Sequence, residues 1–159
     1  MLSREPTIRV ATVADARDLA ALRWTWRVDE EGEHGLTEAE FTASFTDWFR
    51  SHRDSHVAFI AKAGDSPIGM AWLAVIDRVP GPGVWLRLAG HLQSVYVLRV
   101  RRGAGIGSAL VTAVLKEAAD RGVGYVSVHP SQRSFALYQR LGFRSNDGVL
   151  QADLRSRRG

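Results

Sequence analysis

The stretch SVYVLRVRRGAGIGSALV, Ser94 to Val111, decides the fold. It passes from a β-rich run through paired arginines, Arg101 and Arg102, into glycines at 103, 105 and 107, and then directly into helix-forming residues. Strand, glycine-rich turn and helix is an arrangement that holds phosphate. Glycine lets the backbone approach an anion, and the unpaired amides of a first helical turn point at it. A bare tight turn is the plainer alternative. Two nucleotide-binding patterns fail here on single residues. A P-loop needs lysine after its last glycine, but Ser108 and Ala109 follow Gly107. A dinucleotide fingerprint needs its third glycine at position 108, which is serine.

Composition sets the outer limits. The chain has 159 residues, 45% of them hydrophobic and 24% charged, which predicts one globular domain over 1–159 with a real core. The Arg-rich end, 155–159, reads as a frayed tail. Cysteine is absent. That excludes disulfides, thiolate catalysis and thiolate zinc sites, and it suits a reducing, cytoplasmic setting. No apolar run approaches the roughly 20 residues of a membrane span, and the opening MLSREPTIRV lacks a signal-peptide pattern, so no membrane association is expected. Net charge is +4, and Lys62 and Lys116 are the only lysines. Arginine forks suit phosphate, but the excess alone does not separate nucleic acid from a small polyanion. The aromatic residues fall mainly on helix faces and form no stripe with the arginines, so no nucleic-acid partner is expected.

Periodicity gives the elements. TIRVA reads as a strand. Thr12 and Asp15 form a capping-box pair opening a helix with Leu19, Leu22 and Trp26 on one face, and DEEGEHG breaks it. Thr37 and Glu40 open a second helix, which carries Phe41, Phe45, Trp48 and Phe49 and fades near SHRDS. HVAFIAKA and IGMAWLAVI flank a GDSP turn as a hairpin. HLQSVYV is the next strand, and simple alternation puts His91, Gln93, Val95 and Val97 on one face. Gly105 to Arg121 is helical, with Ile106, Leu110 and Val114 in one stripe and Val111, Leu115 and Ala118 beside it; YVSVH is a buried-looking strand and SQRSFALYQRLG a short helix. FRSN and VLQADL close the chain as short strands around NDG. The order predicts an α/β (α+β) fold: a mixed, mostly antiparallel sheet of six to seven strands flanked by about four helices.

Arg102-x-x-Gly105-x-Gly107 resembles the acetyl-CoA diphosphate loop of the GNAT superfamily of N-acetyltransferases. LYQRLGF, from Leu137 to Phe143, resembles that family's LYxxxGF ending, and the similarity of element order covers almost the whole chain. The resemblance implies splayed fourth and fifth strands, with pantetheine pairing to the backbone of Val95, Tyr96 and Val97. It implies a diphosphate seated on Arg102 and the amides of Gly103, Ala104, Gly105, Ile106, Gly107 and Ser108. Tyr138 matches the tyrosine that protonates the departing thiolate. Ser131 stands where a cofactor-contacting asparagine is common, Arg99 where a proline is, and Val126 where some members carry a glutamate base. Acetyl-CoA is therefore the expected cosubstrate and a small-molecule or peptide amine the expected acceptor. No metal is expected. Family members often pair, so a homodimer is expected.

The reaction requires a base for an ammonium of pKa about 10.4. His91 is the candidate base, against the alternative of a solvated strand histidine. Gln93 could position the acceptor. The acidic run Asp29, Glu30, Glu31 and Glu33 borders the acceptor region in the resembled family, with Trp26 as an apolar wall; an ordinary solvated loop is the alternative. Tyr138 shares a helical stripe with Phe135 and Leu141, which by itself reads as core. A non-catalytic acyl-CoA sensor on the same fold is the competing function, motivated by the missing glutamate at Val126. His52 and His56 lie four apart without a third ligand, too few for a metal site.

Overall fold

Thr12 and Asp15 begin the first helix as their spacing predicts: the Asp15 carboxylate accepts from the Thr12 amide at 2.8 Å. Asp15 is buried and also receives the Arg9 fork in two bonds of 2.7 Å, which hold its carboxyl well below the usual range. The computed structural model describes residues 5–155. It divides after His129 into two units. Residues 156–159 of the expected tail lie outside the described residues.

The first unit holds β1 (Thr7–Val10), α1 (Ala16–Trp24), α2 (Glu38–Ser51), β2 (His56–Ala63), β3 (Ser66–Asp77), β4 (Leu88–Val97), α3 (Ile106–Asp120) and β5 (Val123–Val128). The strands form one sheet in chain order, antiparallel from β1 to β4 and parallel between β4 and β5. The mixed, mostly antiparallel character is as expected, but the sheet has five strands among the described residues, not six to seven. FRSN and VLQADL are irregular. Their polar side chains satisfy their own backbone instead of a ladder: Asn146 Oδ1 accepts from the Gly148 amide at 3.0 Å, and Asp153 Oδ1 from the Arg155 amide at 2.9 Å.

Strand pairing assigns the faces. Met70, Trp72 and Ala74 alternate onto one face with their partners Ala58 and Ile60, and α1 and α2 cover it. Leu19, Leu22 and Phe49 pack there, and Trp72 sits among Phe45, Trp48 and Phe49 at ring separations of 5.2–5.8 Å. Gly69 lies on the other face, where a Cβ would come within 3.2 Å of Leu110 in α3. That helix buries Ile106, Leu110, Val111, Val114 and Ala118, the stripe its sequence predicts. β5 is more exposed than its sequence suggests, because it borders the sheet.

β4 changes register midway. Gln93 pairs with Trp72 and Tyr96 with Met70, so Ser94 and Val95 together oppose Ala71 alone. This is a β-bulge, and Ser94 adopts φ +52° to make it. Simple alternation therefore fails: His91, Gln93 and Tyr96 share the α1/α2 face, while Val97 pairs with Gly69 on the α3 face. Pairing with β5 stops at Leu92–Val128, just before the bulge. Beyond that point, where β5 itself ends, β4 runs on without it.

The second unit contains α4 (Phe135–Arg140), a short helix that ends at Gly142 with φ +94°. Tyr138 is buried there, with its ring edge-on to Phe143 at 5.4 Å.

Gly90 shows how tightly the parallel pair closes. A Cβ at this position would lie 2.9 Å from Leu73 and 3.2 Å from both Val123 and Val126. Gly90→Val is expected to lower the unfolding free energy by about 1–3 kcal/mol in urea titrations, with Gly90→Ala milder. Unchanged stability in Gly90→Val would contradict this packing.

Candidate active site

After the bulge, β4 leads into a helical turn at Arg99–Arg101 and then the glycine segment. Gly103 and Gly105 adopt φ +80° and +79°, a left-handed conformation that glycine takes without the clash a Cβ brings. α3 starts immediately, with Gly105 in the capping position and no side chain bonded to its first turn. Its first backbone bond runs from the Ala109 amide to the Gly105 carbonyl at 3.0 Å. The amides of Ile106, Gly107 and Ser108 thus lie ahead of the helical ladder at its positive end, a chemically suitable seat for a diphosphate.

Arg102 does not point freely into that seat. Its Nε donates to the Val97 carbonyl at 2.9 Å, and its Nη2 to Glu30 Oε2 at 3.1 Å. Its guanidinium lies over the Tyr96 ring, 5.5 Å from the centroid. The Tyr96 hydroxyl donates to the other Glu30 oxygen at 2.7 Å. Burial works against the Glu30 charge, but the Tyr96 and Arg102 bonds outweigh it and hold the carboxyl below its usual value. Burial and the Glu30 carboxylate push the Tyr96 phenol up to about 12.

Glu30 reaches this position because the first helix runs into the first two residues of DEEGEHG before that segment breaks it. It continues from α1 as a π-helical stretch, Thr25–Glu30, and closes with the Gly32 amide on the Val28 carbonyl. Wide helical turns of this kind recur at functional sites. Trp26, within the stretch, stacks on Tyr96 at 5.4 Å and 8° between planes and donates to Glu31 at 2.7 Å. The structure therefore brings together Trp26, Glu30, Tyr96 and Arg102, expected to serve substrate and cofactor separately, as one bonded cluster. Arg27 binds Glu31 and Glu33, so with Glu30 on Arg102 three of the four acids of the run are paired with arginine.

His91 sits where β4 still pairs with β5. Its Nδ1 lies 3.0 Å from Ser127 Oγ, and its ring is 5.1 Å from that of His129. Burial, with His129 nearby, pushes His91 below its ordinary value of about 6.5 despite the opposing Ser127 bond, so its neutral, proton-accepting form is favoured. Gln93 is half-buried on the same face. Val95 lies in the bulge. Ser131 is turned to Ser134, 2.9 Å between hydroxyls, and accepts from the Ser134 amide ahead of α4. Burial pushes the Tyr138 phenol up, which keeps it protonated. Ser127, in β5, and His129, just after it, were not singled out by sequence, although alternation along VSVH places them on one side. Ser94, whose bulge shapes the site, carries no sequence signal, because serine is not a residue that marks φ > 0.

Among the described residues no group of three or more His, Asp or Glu is placed to hold a metal ion, and no helix is long and apolar enough to cross a membrane.

Comparison with known proteins gives the family and the fold. The sequence model of the acetyltransferase (GNAT) family matches residues 17–143. A glucosamine 6-phosphate N-acetyltransferase of Trypanosoma brucei brucei is 34% identical over 87 residues. That match covers 55% of this chain and 57% of the relative, so the chain spans little over half the length of that protein. An acetyltransferase from Clostridium acetobutylicum, solved with acetyl-CoA, superimposes with a TM-score of 0.76 at 23% identity, covering 94% of this chain and 96% of that one. A Trypanosoma brucei acetyltransferase gives a TM-score of 0.71 at 25% identity, covering 94% and 100%. An Arabidopsis thaliana glucosamine-6-phosphate N-acetyltransferase gives 0.70 at 19% identity, covering 94% and 98%.

The Glu30 bonds have a pH signature. A carboxyl held low contributes stability that is complete above its unfolded pKa of about 4.3 and is lost as pH falls through the folded value. Glu30→Gln should lower the unfolding free energy by about 1–3 kcal/mol near neutrality. The gap to wild type should then shrink as the pH drops below the usual carboxylate range. A gap that stays constant in acid would contradict the assignment.

Proposed function

The chain belongs to the GNAT acetyltransferase family, and on that premise we propose that it moves an acetyl group directly from acetyl-CoA to a primary amine of a small molecule or peptide. The observation that carries the proposal is the left-handed glycine turn opening α3 immediately after a bulged strand. In this reading the chain acts as one acetyltransferase domain, and the amides from Gly103 to Ser108 hold the diphosphate. Arg102 braces the turn against Val97 and Glu30, so its part in cofactor binding is to fix the loop. The exposed edge at Val95, Tyr96 and Val97 pairs with the pantetheine arm, and a backbone N–H near Val97 faces the oxygen that gains charge. Ser131 is a further cofactor contact.

Acetyl-CoA supplies the activated thioester, and the residues manage the protons. His91, neutral at physiological pH, takes the proton that the ammonium must lose before attack. Tyr138 gives its hydroxyl proton to the departing thiolate; what supports this is its place in LYQRLGF and the burial that keeps its phenol protonated. Gln93, Trp26 and the acidic run border the acceptor. The glucosamine 6-phosphate named for the trypanosomal relative makes amino-sugar phosphates the first acceptors to try. The chain is proposed to act as a homodimer.

Two variants test the reading. Gly105→Val forces a β-branched residue into φ +79° and should abolish acetyl-CoA binding in calorimetry while leaving the fold in place. Tyr138→Phe should lower kcat about a hundredfold with acetyl-CoA affinity nearly unchanged. Normal binding by the first variant or normal turnover by the second would remove that residue from its assigned role. Acetyl-CoA binding without thiol release across a broad amine panel would favour a sensor.

A further inference from the structure

Arg23, in the last turn of α1, is a half-buried guanidinium with no carboxylate partner among the described residues. Its neighbours are matched: Arg27 binds Glu31 and Glu33, and Arg102 binds Glu30. Arg23 instead donates one bond, Nη1 to the Ser94 hydroxyl at 3.1 Å, and lies over the Trp26 ring, 5.2 Å from the centroid. A guanidinium has five N–H donors in a fixed fork, and withdrawing its charge from water without an anion is costly. Burial, with the like charge of Arg27 nearby, pulls the Arg23 pKa down, although the Glu33 and Glu31 carboxylates oppose the shift.

Arg23 borders a cavity of about 300 Å³. Trp24 and Phe41 contribute aromatic walls to it, and Arg27, Glu33 and His34 its polar rim. The Trp24 and Phe41 rings stand 5.9 Å apart. The volume is at the lower end for small-molecule sites and fits a compact polar molecule. Since Arg27 is engaged by Glu31 and Glu33, Arg23 is the cation whose charge remains available at this cavity. Its single bond reaches Ser94, in the bulge where β4 parts from β5, so an anion on Arg23 lies beside the strand at which the amine is proposed to react.

We propose that this cavity receives the anionic group, a phosphate or a carboxylate, of an amine acceptor, with Arg23 as its charge partner and the specificity-determining residue. Trp26 holds the guanidinium plane, and Ser94 fixes its reach. The amine part of the proposal rests on the acetyltransferase reading, whereas the anion site stands without it.

The test separates the two. Inorganic phosphate and acetate are titrated by NMR into protein saturated with CoA, so that the glycine turn is filled, and in parallel into Gly105→Val, whose glycine turn is disrupted. Saturable shifts at the Arg23 side chain and the Trp26 indole are expected. Arg23→Gln, which removes the charge and keeps an N–H donor on a shorter side chain, should weaken binding about tenfold or more, and Arg23→Lys less. The anion that binds more tightly identifies the group. No saturable shift at Arg23, or equal binding by Arg23→Gln, would overturn the proposal. Turnover gives a second readout with amine pairs differing in one group: phosphoethanolamine against ethanolamine, and β-alanine against propylamine. The charged member should be preferred through KM, and Arg23→Gln should erase the preference. Equal kcat/KM for both members in wild type would also overturn it. If wild type fails to bind CoA, the acetyltransferase reading falls, while the titration into Gly105→Val still decides the cavity.

Discussion

One extra residue in β4 organises the site. Because Ser94 and Val95 together face Ala71, every side chain beyond them changes sides. Tyr96 turns toward α1 and α2, and Val97 toward α3. The same kink comes where pairing with β5 ends, since a strand twisted by a bulge no longer tracks a parallel neighbour. The sheet is thereby opened at its β5 edge without interrupting the antiparallel ladder to β3 that carries the core. A regular β4 would close that opening and leave Tyr96 on the face away from Trp26 and Glu30.

The bulge also explains how distant segments become one unit. Tyr96 meets Trp26 and Glu30 from the first helix, and Glu30 in turn meets Arg102 ahead of the glycine turn. Arg102 closes the circuit on the Val97 carbonyl. A carboxylate shared by a phenol and a guanidinium in a half-buried setting fixes the position of all three more firmly than a surface ion pair would. Arg23 attaches to the same assembly through Trp26 and Ser94. The helix end that borders the cavity and the turn that opens α3 are therefore mechanically joined, although they lie some 70 residues apart in the chain.

What was legible in the sequence was local. Capping pairs at Thr12–Asp15 and Thr37–Glu40, the Gly64 turn, the apolar stripe of α3 and the spacing of Gly103, Gly105 and Gly107 each depend on residues within one or two turns. The bulge was not legible, because HLQSVYV alternates without a glycine to mark it, and so Val97 was expected on the face of His91. Nor was the π-helical form of Thr25–Glu30, since widened turns leave no mark in the spacing of Leu19, Leu22 and Trp26. The run of acids in DEEGEHG is explained only by the arginines and the tyrosine that fold against it. FRSN and VLQADL misled for the opposite reason: they flank an NDG turn as hairpin strands would, but Asn146 and Asp153 turn onto their own backbone. Ser127 and His129 become meaningful only once β5 lies beside His91.

The central claim is that the bulged end of β4 and the uncapped start of α3 form one cofactor seat. Backbone amide NMR during an acetyl-CoA titration tests it most directly. The account predicts that the largest shifts fall on Val95–Val97 and Gly103–Ser108 together, saturating with a single dissociation constant. Saturable binding with these two segments unmoved, and the shifts gathered elsewhere, would contradict it.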